Sequence, residues 1–192
     1  MKLIVVSDIF GLTSDLDIFV NQFYDHYEII RVIDPYSGKN HHFHNEEDAY
    51  QHFQQHCGLE QLTDQLHAEL AETDISVDII GFSVGAAAVW EISGENQYRQ
   101  INKVIGFYGS RIREKIDIDP AVSTSLIFPK LEKRFDLEPL IQTLEEKNNI
   151  EIIRTEYLHG FMNKISVNYS ETAYNYFNKW LLICLLNHKV EC

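Results

Sequence analysis

Six short apolar, β-branched runs, at residues 3–6, 29–33, 77–80, 104–107, 126–128 and 150–153, recur along the chain with longer stretches between them. This alternation constrains the fold more than any other feature. A strand buried on both faces reads as a continuous apolar run, and a parallel pair of strands needs a crossover of a dozen or more residues, usually helical. The intervening segments meet that need. Leu16, Phe19, Val20 and Phe23 recur at helical spacing, as do Phe53, Leu62, Leu66 and Leu70, then Leu137, Leu140, Ile141 and Leu144, and finally Tyr174, Phe177, Trp180, Leu181 and Cys184. Gly58 is expected to interrupt the second of these helices, and Asp34, Pro35, Tyr36, Ser37 and Gly38 carry turn chemistry before it. The pattern predicts a three-layer α/β/α unit with about six mainly parallel strands. No repeat or linker divides it, so residues 1–192 are read as one domain.

Ligands of such open sheets bind outside the carboxyl ends of the strands, so the polar residues that follow each run are the ones to weigh. After the third run comes Gly81-Phe82-Ser83-Val84-Gly85, and then the helix-favouring Ala86-Ala87-Ala88-Val89-Trp90. Strand, tight turn and helix are the setting a nucleophile elbow requires. The serine occupies a strained turn, and the flanking glycines let neighbouring backbone come close. The Val84 amide would face a reacting carbonyl at the positive end of the helix, where an oxyanion is favoured.

A serine hydroxyl needs a base, and in an elbow fold the base follows late in the chain, after an acid. Of nine histidines, His159 lies just past the sixth run, in Tyr157-Leu158-His159-Gly160-Phe161. Two carboxylates follow the fifth run. Glu132 sits among Lys130, Lys133 and Arg134 and can be read as the orienting acid or as a surface ion-pair residue. Asp136 can be the acid or the cap of the helix starting near Leu137.

Asp8-Ile9-Phe10-Gly11-Leu12 after the first strand, the Ser83 elbow, Phe107-Tyr108-Gly109 after the fourth strand, and His159-Gly160-Phe161 together resemble the dienelactone hydrolase family of α/β-hydrolases. The similarity runs from about residue 3 to residue 183. It implies that the Ile9 amide joins that of Val84 in an oxyanion hole, with Asp8 bordering the nucleophile and Phe10 and Tyr108 near the substrate. Laying the family's acid pattern on Phe128-Pro129-Lys130-Leu131-Glu132 favours Glu132 over Asp136. Three departures stand out. Serine replaces the cysteine of the founding enzymes, Pro129 and Glu132 replace glycine and aspartate, and the strands that usually precede the oxyanion strand are absent.

These readings converge on a serine hydrolase for a small ester or lactone that needs no cofactor and no metal. A thioesterase or peptidase of the same fold and a non-catalytic binding protein are the alternatives. Arg111 and Arg113, after the fourth strand, are candidates for contact with an anionic substrate. His41, His42 and His44 with Glu46 and Glu47 contain metal-ligating types but lack ligand spacing, and are read as a solvated loop near the site entrance.

Composition sets the remaining limits. Sixteen basic against 29 acidic residues give a net charge of −13, which disfavours nucleic acid and anionic membrane as partners. Three widely spaced cysteines, Cys57, Cys184 and Cys192, suggest neither a disulfide framework nor a zinc cluster. The apolar start is too short for a signal peptide, and residues 181–186 fall far below the roughly 18 residues of a membrane span. A cytoplasmic protein is expected. The sheet edge left by the absent strands is expected to pair two copies as a homodimer.

Overall fold

The computed structural model describes residues 1–186. The strands are β1 (Lys2–Val6), β2 (Ile29–Ile33), β3 (Val77–Phe82), β4 (Ile101–Phe107), β5 (Ser123–Phe128) and β6 (Ile150–Arg154). They form a six-stranded sheet in the order β2-β1-β3-β4-β5-β6. Every adjacent pair is parallel. The helices are α1 (Ser14–Asn21), α2 (Glu46–His56), α3 (Gly58–Ala71), α4 (Val84–Ser93), α5 (Leu137–Glu145) and α6 (Glu171–Leu186), with a 3₁₀ segment at Ser110–Lys115. This is a reduced α/β-hydrolase fold.

Alternation along the strands builds the three layers. Leu3 and Val5 of β1 point to the face covered by Phe19, Val20 and Phe23 at α1 and by Phe177 and Leu181 of α6. Ile4 and Val6 point to the opposite face, against α3 and α4. A third apolar group joins Trp90 of α4 to Leu140, Ile141 and Leu144 of α5 over Leu126 and Phe128 of β5. The inner strands β1 and β3 are buried along their whole length, whereas the edge strands β2 and β6 are partly open to solvent.

Gly58 separates α2 from α3, as the sequence suggests, and its φ of 71° explains why a glycine stands there. Cys57 and Cys184 are free thiols. Cys192 lies outside the described residues. Among the described residues no helix is long and apolar enough to cross a membrane.

Candidate active site

Parallel register brings the carboxyl ends of β1, β3, β4 and β5 to one rim of the sheet, with Val6 beside Gly81 and Phe82 beside Phe107. The chain turns sharply at each exit. At the end of β3, Ser83 takes φ 53° and ψ −109°, and its amide donates to the Phe107 carbonyl at 2.9 Å. The positive φ is costly for a residue with a Cβ, and the packing around the turn maintains it. The two glycines of the elbow are there for space. A Cβ on Gly81 would lie 2.5 Å from the Gly85 carbonyl oxygen, and one on Gly85 would strike the carbonyl oxygens of Val6 and Ser7.

At the end of β1, Asp8 folds its own loop. Its Oδ1 accepts from the Phe10 amide at 2.9 Å, and its main-chain carbonyl accepts from the Gly11 amide at 3.1 Å. Tyr36 fixes the same loop from outside by donating its hydroxyl to the Ile9 carbonyl at 2.7 Å. Its ring lies where a Cβ on Gly11 would be, 2.6 Å from Cδ2. The amides of Ile9 and Val84 make no hydrogen bond among the described residues and both border the cleft over Ser83.

His159 and Glu132 reach the elbow from the two neighbouring loops. Ser83 Oγ is 3.0 Å from His159 Nε2, and His159 Nδ1 is 2.8 Å from Glu132 Oε1. The Glu132 side chain is 11% exposed and that of His159 29%, so this pair is largely shielded from water. Pairing of β5 with β6 continues past the strands and explains the encounter. Thr155 donates its amide to the Phe128 carbonyl at 3.0 Å, and Lys130 donates its amide to the Tyr157 carbonyl at 2.7 Å, which carries the acid loop alongside the histidine loop. The Asn168 side chain then donates to the His159 carbonyl at 2.8 Å. Asp136 is elsewhere engaged, as the N-cap of α5, accepting from the Glu138 amide at 3.1 Å.

Two spaces open on Ser83. A cleft of about 330 Å³ runs between Ile9 and Val84 and the charged loops that carry Arg111, Arg113 and Glu132. A smaller pocket of about 50 Å³ also meets Ser83; it shares Ile9, Glu46 and His159 with the cleft and is walled besides by Asp8, Phe10, Tyr108 and Asn163. The predicted substrate residues are therefore divided. Asp8, Phe10 and Tyr108 line the small pocket, while Arg111 lines the cleft and already grips Glu114 through Nε at 3.0 Å and Nη2 at 2.8 Å. That bond holds the Glu114 carboxyl below its ordinary pKa. Burial raises the pKa of Asp8, only partly offset by hydrogen bonds from Asn163 and Phe10. Burial also places the Tyr108 hydroxyl well above the usual tyrosine range.

The histidine-rich segment is a solvated loop near the site entrance in part: His42, His44, Glu46 and Glu47 are exposed and the two glutamates border the cleft, whereas His41 is partly drawn in. His41 and Phe43 pack on the Tyr36 ring, at centroid distances of 4.9 and 5.7 Å, and His52 closes the cluster from α2. Apolar and aromatic contact draws these residues in, while His42 and His44 remain exposed. Among the described residues no group of three or more His, Cys, Asp or Glu could hold a metal ion.

Three residues at the site are not read as site residues from the sequence: Tyr36 belongs to a turn, Glu46 is weighed only with the neighbouring histidines and opens α2, and Asn163 lies in an unpatterned loop. Asn163 nevertheless donates Nδ2 to Asp8 Oδ2 at 2.5 Å, tying the histidine loop to the oxyanion loop. Glu46 Oε1 accepts from Ser166 Oγ at 2.8 Å in the wall of the small pocket.

A parallel sheet with its elbow, late histidine and orphan amides at one rim defines an α/β-hydrolase. The sequence model of the dienelactone hydrolase family matches residues 2–182, and the chain belongs to that family. The uncharacterized protein YczH of Bacillus subtilis (strain 168) is 32% identical over 141 residues, 67% of this chain and 68% of that protein. Among solved structures, one ascribed to a dienelactone hydrolase of Klebsiella pneumoniae superposes with a TM-score of 0.76 at 18% identity, covering 94% of this chain and 84% of that one. A dienelactone hydrolase-like promiscuous phosphotriesterase from metagenomic libraries gives 0.66 at 14% identity, covering 98% and 86%. The enol-lactonase of Burkholderia xenovorans LB400 gives 0.62 at 10% identity, covering 96% and 90%. At these identities the structural likeness speaks for the fold, and the family match makes the protein a hydrolase by kinship.

Proposed function

We propose that this protein is a serine hydrolase that cleaves a small carboxylic ester or lactone through an acyl-enzyme. The observation that carries the reading is the chain of contacts from Ser83 Oγ through His159 to Glu132, at 3.0 and 2.8 Å. With its Nδ1 proton directed to Glu132, His159 presents a free Nε2 lone pair to the Ser83 hydroxyl. Attack on the carbonyl transfers the serine proton to Nε2, and Glu132 stabilises the imidazolium that results. The oxyanion rests on the amides of Ile9 and Val84, which have no other duty and need no reorganisation as charge develops. His159 then returns the proton to the leaving alcohol, and water repeats the sequence to release the acid.

Labelling with a fluorophosphonate probe tests the nucleophile. The wild type is expected to form a covalent adduct on Ser83 and Ser83→Ala none; equal labelling of the two proteins would remove Ser83 as the activated group. The same machinery serves thioesters and peptides, so kcat/KM across matched ester, thioester and amide substrates assigns the bond. Esters are expected to lead. Absence of turnover on all of them, with an unlabelled Ser83, would favour a binding protein.

A further inference from the structure

Two turns flank the reacting centre, and one hydrogen bond joins them. After β1, the Asp8 carbonyl accepts from the Gly11 amide at 3.1 Å and Asp8 Oδ1 accepts from the Phe10 amide at 2.9 Å. These bonds wrap the chain around Ile9, whose own amide makes none among the described residues and borders the cleft. After His159, the Asn163 amide donates to the Gly160 carbonyl at 2.9 Å and closes a second turn, in which Gly160 takes φ 85°. Asn163 thus holds the histidine turn with its backbone. Its side chain crosses to the other turn and donates Nδ2 to Asp8 Oδ2 at 2.5 Å, between residues 155 positions apart in the chain.

The surrounding network fixes which way round this bond runs. Asn163 Oδ1 accepts from the Ile165 amide at 2.8 Å, and a backbone N–H can only donate, so the Asn163 NH₂ must face Asp8. Both carboxylate oxygens of Asp8 are then engaged, one by Phe10 and the other by Asn163. Resting on the serine-hydrolase reading above, we propose that Asp8 and Asn163 are a positioning pair. Their hydrogen bond holds the Ile9 amide and the His159 ring in one geometry, so that the oxyanion hole and the general base meet the transition state together. Neither residue takes or gives a proton in the reaction. A misplacement of about 1 Å at a reacting centre can cost about 100-fold in rate, which makes one hydrogen bond between two loops consequential. Because both groups act on the transition state, its loss falls on kcat rather than on KM.

Exchanging the two residues tests this, with p-nitrophenyl acetate turnover and the rate of fluorophosphonate labelling as readouts. Asp8→Asn alone sets one NH₂ against another, and Asn163→Asp alone sets one carboxylate against another, so each breaks the bond. Each is expected to lower kcat by at least about 10-fold with KM within about 3-fold of wild type, and to slow labelling of Ser83 in parallel. In the double variant Asp8→Asn/Asn163→Asp, the amide oxygen at position 8 still accepts from Phe10 and its NH₂ donates to the carboxylate at position 163, which still accepts from Ile165. Every hydrogen bond returns, with one direction reversed and the carboxylate moved to the other loop. Its kcat is expected to recover to within about 3-fold of wild type, where independent losses would multiply to about 100-fold. A double variant no faster than the better single would show that the charge of Asp8 matters and the bond does not, and single variants with wild-type kcat would show that the bond is idle. Either result overturns the proposal while leaving the serine mechanism standing. Should a single variant fail to fold, Asn163→Ala deletes the donor without opposing like groups; a kcat lowered by at least about 10-fold is expected, and a wild-type kcat would overturn the pairing. A wild type that neither turns over the ester nor labels at Ser83 would instead remove that mechanism, and the positioning pair with it.

Discussion

Individual residues at the site divide according to whether their role depends on chain order or on three-dimensional contact. Ser83 is legible in the sequence because its neighbours Gly81 and Gly85 announce the turn, and His159 because it follows the last strand. Glu132 and Asp136 are less separable in sequence. Both are carboxylates in one short loop, and a helix cap and a triad acid have the same composition. The structure separates them by partner, since Glu132 faces His159 at 2.8 Å and Asp136 caps α5. Their substitutions should therefore diverge. Glu132→Gln leaves His159 in the wrong tautomer and is expected to lower kcat by at least about 100-fold with little change in KM. Asp136→Ala is expected to lower stability by about 1 kcal/mol, the usual cost of a lost cap, with kcat within about 2-fold of wild type. Steady-state kinetics with denaturant unfolding on both variants checks this, and a larger loss of kcat in Asp136→Ala would reverse the assignment.

At the scale of elements, all six strands were readable because β-branched apolar runs between helical patterns have few other interpretations in a chain of this length. The links between loops were not. Tyr36 to Ile9, Asn163 to Asp8 and Glu46 to Ser166 join segments far apart in sequence, and polar residues in loops follow no period. The elbow shows what the elements demand of one another. Helix α4 starts so close to the end of β1 that the Gly85 position has no room for a methyl group against the Val6 and Ser7 carbonyls. Gly85→Ala must push β1 and α4 apart, and is expected to cost about 3 kcal/mol or to prevent soluble accumulation. Gly58→Ala is the useful contrast, because nothing lies within 4 Å of its added methyl group and only its φ of 71° is strained. About 1 kcal/mol is expected there. Urea unfolding of the two variants tests the distinction between crowding and backbone strain, and equal losses would refute it.

The whole molecule sets a surface of net charge −13 against an open sheet edge. Strand β2 pairs with β1 on one side only, and Ile29 at its start is 40% exposed. A single cation, Arg31, marks that strand, and it is drawn back toward Glu69 at 3.7 Å. Unpaired backbone along such a strand is a template for a second copy, and a two-fold arrangement would pair β2 with itself antiparallel. Repulsion between two chains of like charge opposes this and is screened by salt, with a Debye length of about 8 Å at physiological ionic strength. We therefore expect a dimer that strengthens as ionic strength rises, and that Ile29→Lys weakens by adding a charge to the edge. Sedimentation velocity at about 0.02 and 0.5 M salt checks both statements. A wild type that stays monomeric at high salt and high protein concentration would show that charge and the short length of β2 suffice to keep the edge unpaired.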